Sequence, residues 1–399
     1  MAWFRTGTGE SLDADLATQK IDIESLAGYI ADIMQAANGI YTWGKYTAQN
    51  GDLLDYVHDE NQNTYPDGGT KNGFWYKRAH SAFTNIEVTT MPTKTTYNVG
   101  ENFNTSGMVV SAIYEAGLKE AVTGFTCSPQ TLNAAGNQTV TISYTKNGTT
   151  KTTTITVKVY NYATITWSGG TDEEVCAMVA AADAGTINLS DYWTVGDERA
   201  VQLHEMGSTG VGEAHVAQEV TMVLLHRGGK TLTNGEECNF IVGIKNNLKE
   251  AGAIEPIIDR ARNWEDSERR IWCNQEFRNA IPHTLRPIFK QHVNKTVSLC
   301  NSDTLIESKD WFALAAEKEI FGKNTYSRPA EANALTQFAY YQTEANRIKK
   351  MGDTGSAQNW WTRSPKTNYA NTFCAVSSAG AAITNTLSNK YGLSPFGCI

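Results

Sequence analysis

The chain has 399 residues, a length that suits two or three domains. Apolar residues make up 41% and charged residues only 19%, so Thr, Asn, Ser and Gly supply much of the polar surface, as in β-rich, turn-rich structures. The net charge of −8 argues against a nucleic-acid binder, which needs a basic stripe to displace counterions.

No basic segment followed by an apolar core and a cleavage site opens the sequence, and no apolar run reaches the length of a membrane span. The expectation is a protein that folds in a cytoplasm and does not insert into a membrane. Seven cysteines are scattered through the chain without a CxxC pair, which reads as buried free thiols.

Residues 13–37 read as one helix. Ile23, Leu26, Ile30, Ile33 and Ala37 fall on one seam, and Asn38-Gly39 ends it. Ile at both kinds of core position favours three strands in a parallel coiled coil. A helix packed on its own domain is the other reading, and the residues leave both open. Residues 40–85 read as a small β-rich connector, with a turn at Tyr65-Pro-Asp-Gly-Gly-Thr and a strand at Phe74-Trp-Tyr.

Residues 86–160 are plainer. Val140, Ile142 and Tyr144 alternate with Thr and Ser, and Ile155, Val157 and Val159 alternate with Thr156 and Lys158. Asn147-Gly148 lies between the two runs, the strongest short hairpin signal because both residues tolerate left-handed backbone. Further strands fit Lys94–Tyr97, Met108–Tyr114 and Gly124–Ser128, which together predict a small β-sandwich. The opening Pro92-x-Lys94-x-x-Tyr97-x-Val99-Gly100-Glu101, the following Gly107-Met-Val-Val and the closing Val140-Thr-Ile-Ser-Tyr144 resemble the bacterial immunoglobulin-like domains. That resemblance implies a spacer or display module.

From 163 to 399 the pattern is mixed and predicts an α+β domain. Thr171-Asp-Glu-Glu174 is a capping box that opens a helix over 172–184. Strands are expected at 199–205 and 215–226, and a helix at 266–279 that ends before Pro282.

Several stretches of this domain carry a second resemblance. They include Trp193-Thr-Val-Gly-Asp197, Phe240-Ile-Val-Gly243 with Lys245-Asn246, Arg269-Arg-Ile-Trp-Cys-Asn274, Ala280-Ile-Pro282 with Leu285-Arg286, Glu319-Ile-Phe-Gly322 and Asn346-Arg-Ile-Lys349. Near the end come Trp360-Trp-x-Arg363-Ser-Pro365, Phe373-Cys374-x-Val376 and Gly392-x-x-Pro395-Phe-Gly-Cys-Ile399. Together they resemble the C-type-lectin-like variable proteins of phages and prophages that are diversified by retroelements. The fold class expected for the whole chain is therefore multidomain: a C-type-lectin-like α+β domain at the C-terminus, preceded by an all-β immunoglobulin-like sandwich and an N-terminal helix.

The resemblance implies a receptor-binding role, in which a fixed frame holds a set of changeable side chains toward the ligand. The frame would be Trp360, Trp361, Arg363, Pro365, Phe373, Gly392 and Pro395. The ligand-binding set would be Asn359, Thr362, Thr367, Asn368, Tyr369, Asn371, Thr372, Ala375, Ser377, Ala379, Ile383, Thr384, Thr386 and Asn389. Small amides and hydroxyls that donate and accept, with a rigid Tyr among them, are the chemistry of adaptable binding surfaces. Adenine-directed change of Asn codons does not yield Lys, Gln, Glu, Met or Trp, and the window 367–389 contains none of these; Gln358, Lys366 and Lys390 fall outside the pattern.

Catalytic and metal chemistry find little support. His204-Glu205, His215 and His226 lack HExxH or HxH spacing, and an odd separation along one strand would send His215 and His226 to opposite faces. Glu255-Pro256-Ile257 lacks the third ligand of a sugar-binding calcium site, and Asn263-Trp264-Glu265-Asp266 is only a scrambled echo of its second half. Cys374 and Cys398 could meet, but both lie in framework segments. No nucleophile stands beside a base.

The expectation is a non-enzymatic phage tail or virion-surface adhesin with no cofactor and no metal. Its partners would be a host-surface glycan or protein and other tail proteins, as a homotrimer made in the bacterial cytoplasm. The alternatives are a bacterial cell-surface adhesin with the same head, or a structural virion decoration protein.

Overall fold

The computed structural model describes residues 83–114, 119–207, 214–252, 254 and 263–399, together with the backbone of two strands, β1 (Leu54–His58) and β2 (Trp75–Ala79), which pair antiparallel. The expected helix over 13–37 and the turn at 65–70 lie outside the described residues. The chain divides into two compact units, Met1–Tyr160 and Asn161–Ile399.

In the first unit, β3 (Phe83–Thr90), β4 (Thr96–Asn98), β5 (Val109–Tyr114), β6 (Lys119–Val122), β7 (Thr126–Ser128), β8 (Gly136–Lys146) and β9 (Thr149–Tyr160) form two sheets. Their orders are β3-β5-β6 and β4-β9-β8-β7, with β4 parallel to β9. The alternation read from the sequence decides which side chains turn inward. Val140, Ile142, Ile155, Val157 and Val159 are buried with Ile86, Tyr97, Val110 and Leu132, while the intervening Thr and Lys residues lie nearer solvent. Asn147 and Gly148 take φ of 49° and 80°, the left-handed pair that a two-residue hairpin turn requires, and they set the register Lys146↔Thr149. The strands expected to begin at 94, 108 and 124 begin one or two residues later, at Thr96, Val109 and Thr126.

The second unit opens on helix α1 (Asp172–Asp183). Its start is fixed as the capping box predicts: Thr171 Oγ1 accepts from Glu174 N at 3.2 Å, and Thr171 N donates to Glu174 Oε2 at 2.8 Å. Strands β10 (Glu198–Leu203), β11 (Gln218–Arg227) and β12 (Phe240–Ile244) follow, then the hairpin β13 (His292–Val297) with β14 (Leu305–Asp310). Further on are the short pair β15 (Lys349–Lys350) and β16 (Ala357–Gln358), then β17 (Trp360–Pro365), β18 (Thr372–Val376), β19 (Ala382–Thr386) and β20 (Phe396–Cys398).

Two of its sheets matter most, ordered β10-β11-β12-β20 and β17-β18-β19. The end of the chain thus returns to complete the central sheet, with Ile241 opposite Cys398 and Gly243 opposite Phe396. At Gly243 a Cβ would sit 2.6 Å from Leu225 Cδ1, so the glycine makes room for the neighbouring strands' side chains.

The helix expected over 266–279 is present but irregular. Glu268–Trp272 is α2, Cys273–Phe277 winds as a π-helix, and Arg278–Ala280 is the short α3. The wider turn coincides with Asn274, whose amide nitrogen donates to Arg270 O, Asp310 Oδ1 and Phe312 O, while its oxygen accepts from Trp311 N at 2.6 Å. The expected strand 215–226 starts later, at Gln218, and carries a bulge between Leu224 and His226. A bulge breaks the simple alternation of faces, so the parity argument for the two histidines does not apply here.

Candidate functional site

The last forty residues separate into a buried frame and exposed loops. Trp360 and Trp361 are fully buried, and each indole N–H is satisfied by a distant carbonyl: Arg347 O at 2.9 Å and Gly252 O at 2.9 Å. Tyr341 and Tyr391 pack against the two rings. Pro365 and Phe373 face each other across β17 and β18, and both are buried. Pro395 is buried and its carbonyl accepts from Ile244 N at 3.2 Å. Gly392 is held by close approach, since a Cβ there would lie 2.3 Å from the Asn247 amide. Arg363 donates to Leu314 O at 2.8 Å and grips both oxygens of Glu319, at 2.5 and 2.8 Å.

Three residues assigned to the ligand-binding set lie instead within this frame. Thr362 is fully buried and donates to Cys374 O at 2.8 Å. Ala375 and Thr372 are buried too, because β18 is the central strand of its sheet and both its faces are covered. A period-2 pattern cannot reveal this, since it distinguishes two faces and here neither one meets solvent.

The remaining residues form three patches. At one end of the sheet, the 366–371 loop lies beside the 386–390 turn, tied by Leu387 N to Asn371 O at 3.0 Å. Tyr369 is 54% exposed there, with the Lys366 ammonium 3.7 Å from its ring centroid, and Asn368 takes a left-handed φ of 64°. Asn371 and Asn389 are also exposed, and Thr367 is half-buried, its N–H bonded to Tyr326 O at 2.9 Å. Asn389 Nδ2 donates to Asn385 Oδ1 at 2.8 Å and to Thr386 Oγ1 at 2.5 Å.

At the other end, Ser377 Oγ accepts from Ala381 N at 3.0 Å and Asn359 Oδ1 accepts from Ser378 N at 2.8 Å. These two side chains therefore hold the turn, while Ala379 is exposed at its tip and Gly380 supplies φ of 81°. Between the ends runs β19, an edge strand on which Ile383 and Thr384 are half-buried and Thr386 is exposed.

Behind the frame lies a buried charge network that no local pattern announces. Lys230 pairs with Glu319 and donates to Asn294 Oδ1 at 2.9 Å. Asn294 in turn donates to Asp310 Oδ2 at 3.0 Å, and Asp310 also accepts from Ser308, Trp264 and Arg270. Burial alone would raise the Glu319 pKa, but the Arg363 and Lys230 charges outweigh it and hold the carboxyl at about 2. Glu331 has no such cation bound to it, and burial pushes it up to about 7 despite a hydrogen bond from Ser364. Lys349 is fully buried beneath the Tyr341 and Trp360 rings and donates to two carbonyls, Ile244 O and Lys245 O; burial lowers its pKa to about 7. The only hint of these roles in the sequence is that Glu319, Lys349 and Arg363 each fall within a stretch already singled out.

His215 is buried beside Glu250 and Trp272, whereas His226 stacks on Phe338 and accepts from Ala339 N, so the two have separate surroundings. Among the described residues no group of three or more His, Cys, Asp or Glu is placed to hold a metal ion. Cys374 and Cys398 do not pair: the Cys398 thiol shares a hydrogen bond with Cys238, and burial pushes the Cys374 thiol well above its ordinary value.

Comparison with known families separates the two units. Residues 244–399 match a domain of unknown function (DUF6273). No curated protein matches the chain. Residues 90–159 match the bacterial Ig-like domain (group 3), and the sandwich of β3–β9 has the two-sheet architecture of such a domain. The chain is thus a multidomain, mostly β-sheet protein with few helices among its described residues, and its residues 90–159 carry a bacterial Ig-like domain of group 3.

Proposed function

We propose that the protein is a receptor-binding adhesin of a phage tail or virion surface. Its lectin-like C-terminal domain would present a changeable face to a host-surface glycan or protein. The observation that carries this reading is the division of labour in the last forty residues. Trp360–Pro365, Thr372–Val376 and Gly392–Ile399 are buried almost without interruption, and the small polar residues between them lie on exposed turns and an edge strand. Such a face can change composition while the core beneath it stays the same.

The working face is narrower than the sequence suggests. Tyr369, Asn368, Asn371, Thr386 and Asn389 cluster at one end of the sheet, with Ile383 and Thr384 along its edge. Tyr369 is the natural anchor, being rigid, amphipathic and more than half exposed. The Ig-like domain would act as a spacer, and a trimer built on the Ile-rich N-terminal segment would multiply weak single-site binding.

The test is exchange of the exposed residues of 366–371 and 386–390 for those of another variable sequence, followed by binding to a panel of host cells. A changed host preference with an unchanged melting temperature supports the adhesin. Unchanged preference favours a structural decoration protein.

A further inference from the structure

One crevice of the second unit lies away from this face and has a charged floor. A half-open space of about 270 Å³ lies between the β13–β14 hairpin, the loop at 229–231 and the segment that follows α5 (Pro329–Ala334), which itself follows α4 (Glu317–Phe321). Lys230 and Glu319 form the floor; Thr231, Lys295, Glu307 and Thr336 stand around it. Space of this size suits a single small molecule rather than a chain.

The hydrogen-bonding capacity of the floor decides what it can recognise. Glu319 is saturated: Oε1 takes Lys230 and Arg363 Nη2, and Oε2 takes Arg363 Nη1 and Ala316 N. Lys230 is not. Of its three ammonium protons one goes to Glu319 and one to Asn294 Oδ1; the ammonium also lies 5.5 Å from the Phe396 ring centroid, and its third proton meets no oxygen acceptor among the described residues.

The buried charges around it are close to balanced: Lys230 and Arg363 share Glu319, and Arg270 pairs with Asp310, so recognition rests on the donors and not on a surplus of charge. At the rim Lys295 and Glu307 pair at 3.5 Å, both well exposed, and their mutual attraction is weak in solvent.

We propose that this crevice is a binding site for a small carboxylate, held by the free Lys230 donor at its floor and by Lys295 at its rim. The carboxylate of an acidic monosaccharide and that of a short organic acid share this chemistry. None of the residues lining the crevice belongs to the exposed face at 366–390, so this site and the adhesin reading can fail separately.

Calorimetric titration of the full chain with glucuronate, glucose and lactate tests the proposal. Glucuronate should bind, and glucose at least about tenfold more weakly. Lactate that binds as well as glucuronate assigns the site to carboxylates at large; lactate that binds less well assigns it to acidic sugars. Lys230→Met should lose about tenfold or more, with Arg363 still holding Glu319, and Lys295→Ala should lose a few-fold at an exposed position that folding does not depend on. If Lys230→Met does not fold, the Lys295→Ala titration decides alone. Equal binding of glucose, no saturation by glucuronate, or an unchanged affinity in Lys295→Ala overturns the assignment.

Discussion

The two units use charge in opposite ways. In the Ig-like unit the buried side chains are apolar, and among its described residues Ser111 is the single buried polar one. The C-terminal unit buries Lys230, Arg269, Asp310, Glu317, Glu319, Glu331, Lys349 and Arg363 among its sheets and helices. The first core is specified by which residues are apolar and how they alternate. The second is specified also by pairs of charges that meet only when the fold is complete. Substitution should therefore damage the two units by different mechanisms.

The largest effect is expected at Glu319. Glu319→Ala would leave Lys230 and Arg363 buried without their shared carboxylate, at a cost of about 4 kcal/mol. Ile142→Ala in the Ig-like core opens a cavity and should cost about 3 kcal/mol. Tryptophan fluorescence tells the two apart, since 83–160 contains no tryptophan and seven of the ten lie in 161–399. Denaturant unfolding followed at tryptophan should register the first substitution more strongly than the second, since only Trp3, Trp43 and Trp75 belong to the unit that holds Ile142. A loss below about 1 kcal/mol in Glu319→Ala would mean that the network contributes little beyond its desolvation cost.

Glu331 supplies a pH signature in the C-terminal unit. Its folded pKa of about 7 stands above the ordinary value of 4.5, so the folded protein holds the proton more tightly than the unfolded chain. The stability this contributes is complete below about pH 4.5 and lost as pH rises through about 7, a change of about 3 kcal/mol. Glu319 acts in the reverse sense, with stability present above about 4.5 and lost as pH falls toward about 2. Glu331→Gln should flatten the decline between pH 4.5 and 7 when unfolding is measured across that window. A parallel curve for the variant would remove Glu331 as its cause.

What the sequence makes legible follows from range. The Asn147-Gly148 turn and the Thr171–Glu174 capping box are local, with partners within three residues, and both stand where they were expected. Lys230, Glu319 and Arg363 are separated by 89 and 44 residues, so neither spacing nor periodicity could bring them together. The π-helical turn at Cys273–Phe277 depends on Asn274 bonds to residues near 310, and a regular helix is all that its own sequence predicts. Thr362, Thr372 and Ala375 mislead for a simpler reason: small polar and neutral residues suit a loop, and they equally suit a crowded, buried strand.

Local features should give smaller and more equal effects in the two units. Gly148→Ala meets no neighbouring atom but forces an L residue to φ of 80°, at about 1 kcal/mol. Thr171→Ala removes one side of the capping box in the other unit and should also cost about 1 kcal/mol. Chemical denaturation of the two variants checks both values. A much larger loss at Thr171 would place α1 inside the long-range network of its unit.

The smallest effect carries the most functional weight. Tyr369→Ala and Ala379→Ser change exposed side chains at the two ends of the β17–β19 sheet and should alter stability by less than about 0.5 kcal/mol. Ala375→Tyr, only a few residues away, would overpack the buried centre of that sheet and should cost about 3 kcal/mol. Thermal unfolding of the three variants maps the border between frame and face, and host-cell binding of the stable ones asks what the face does. Loss of binding in Tyr369→Ala but not in Ala379→Ser would place the ligand at the end where the 366–371 and 386–390 turns meet. The reverse result would move it to the 377–381 turn, where Asn359 and Ser377 already hold the backbone and leave only the tip free to change.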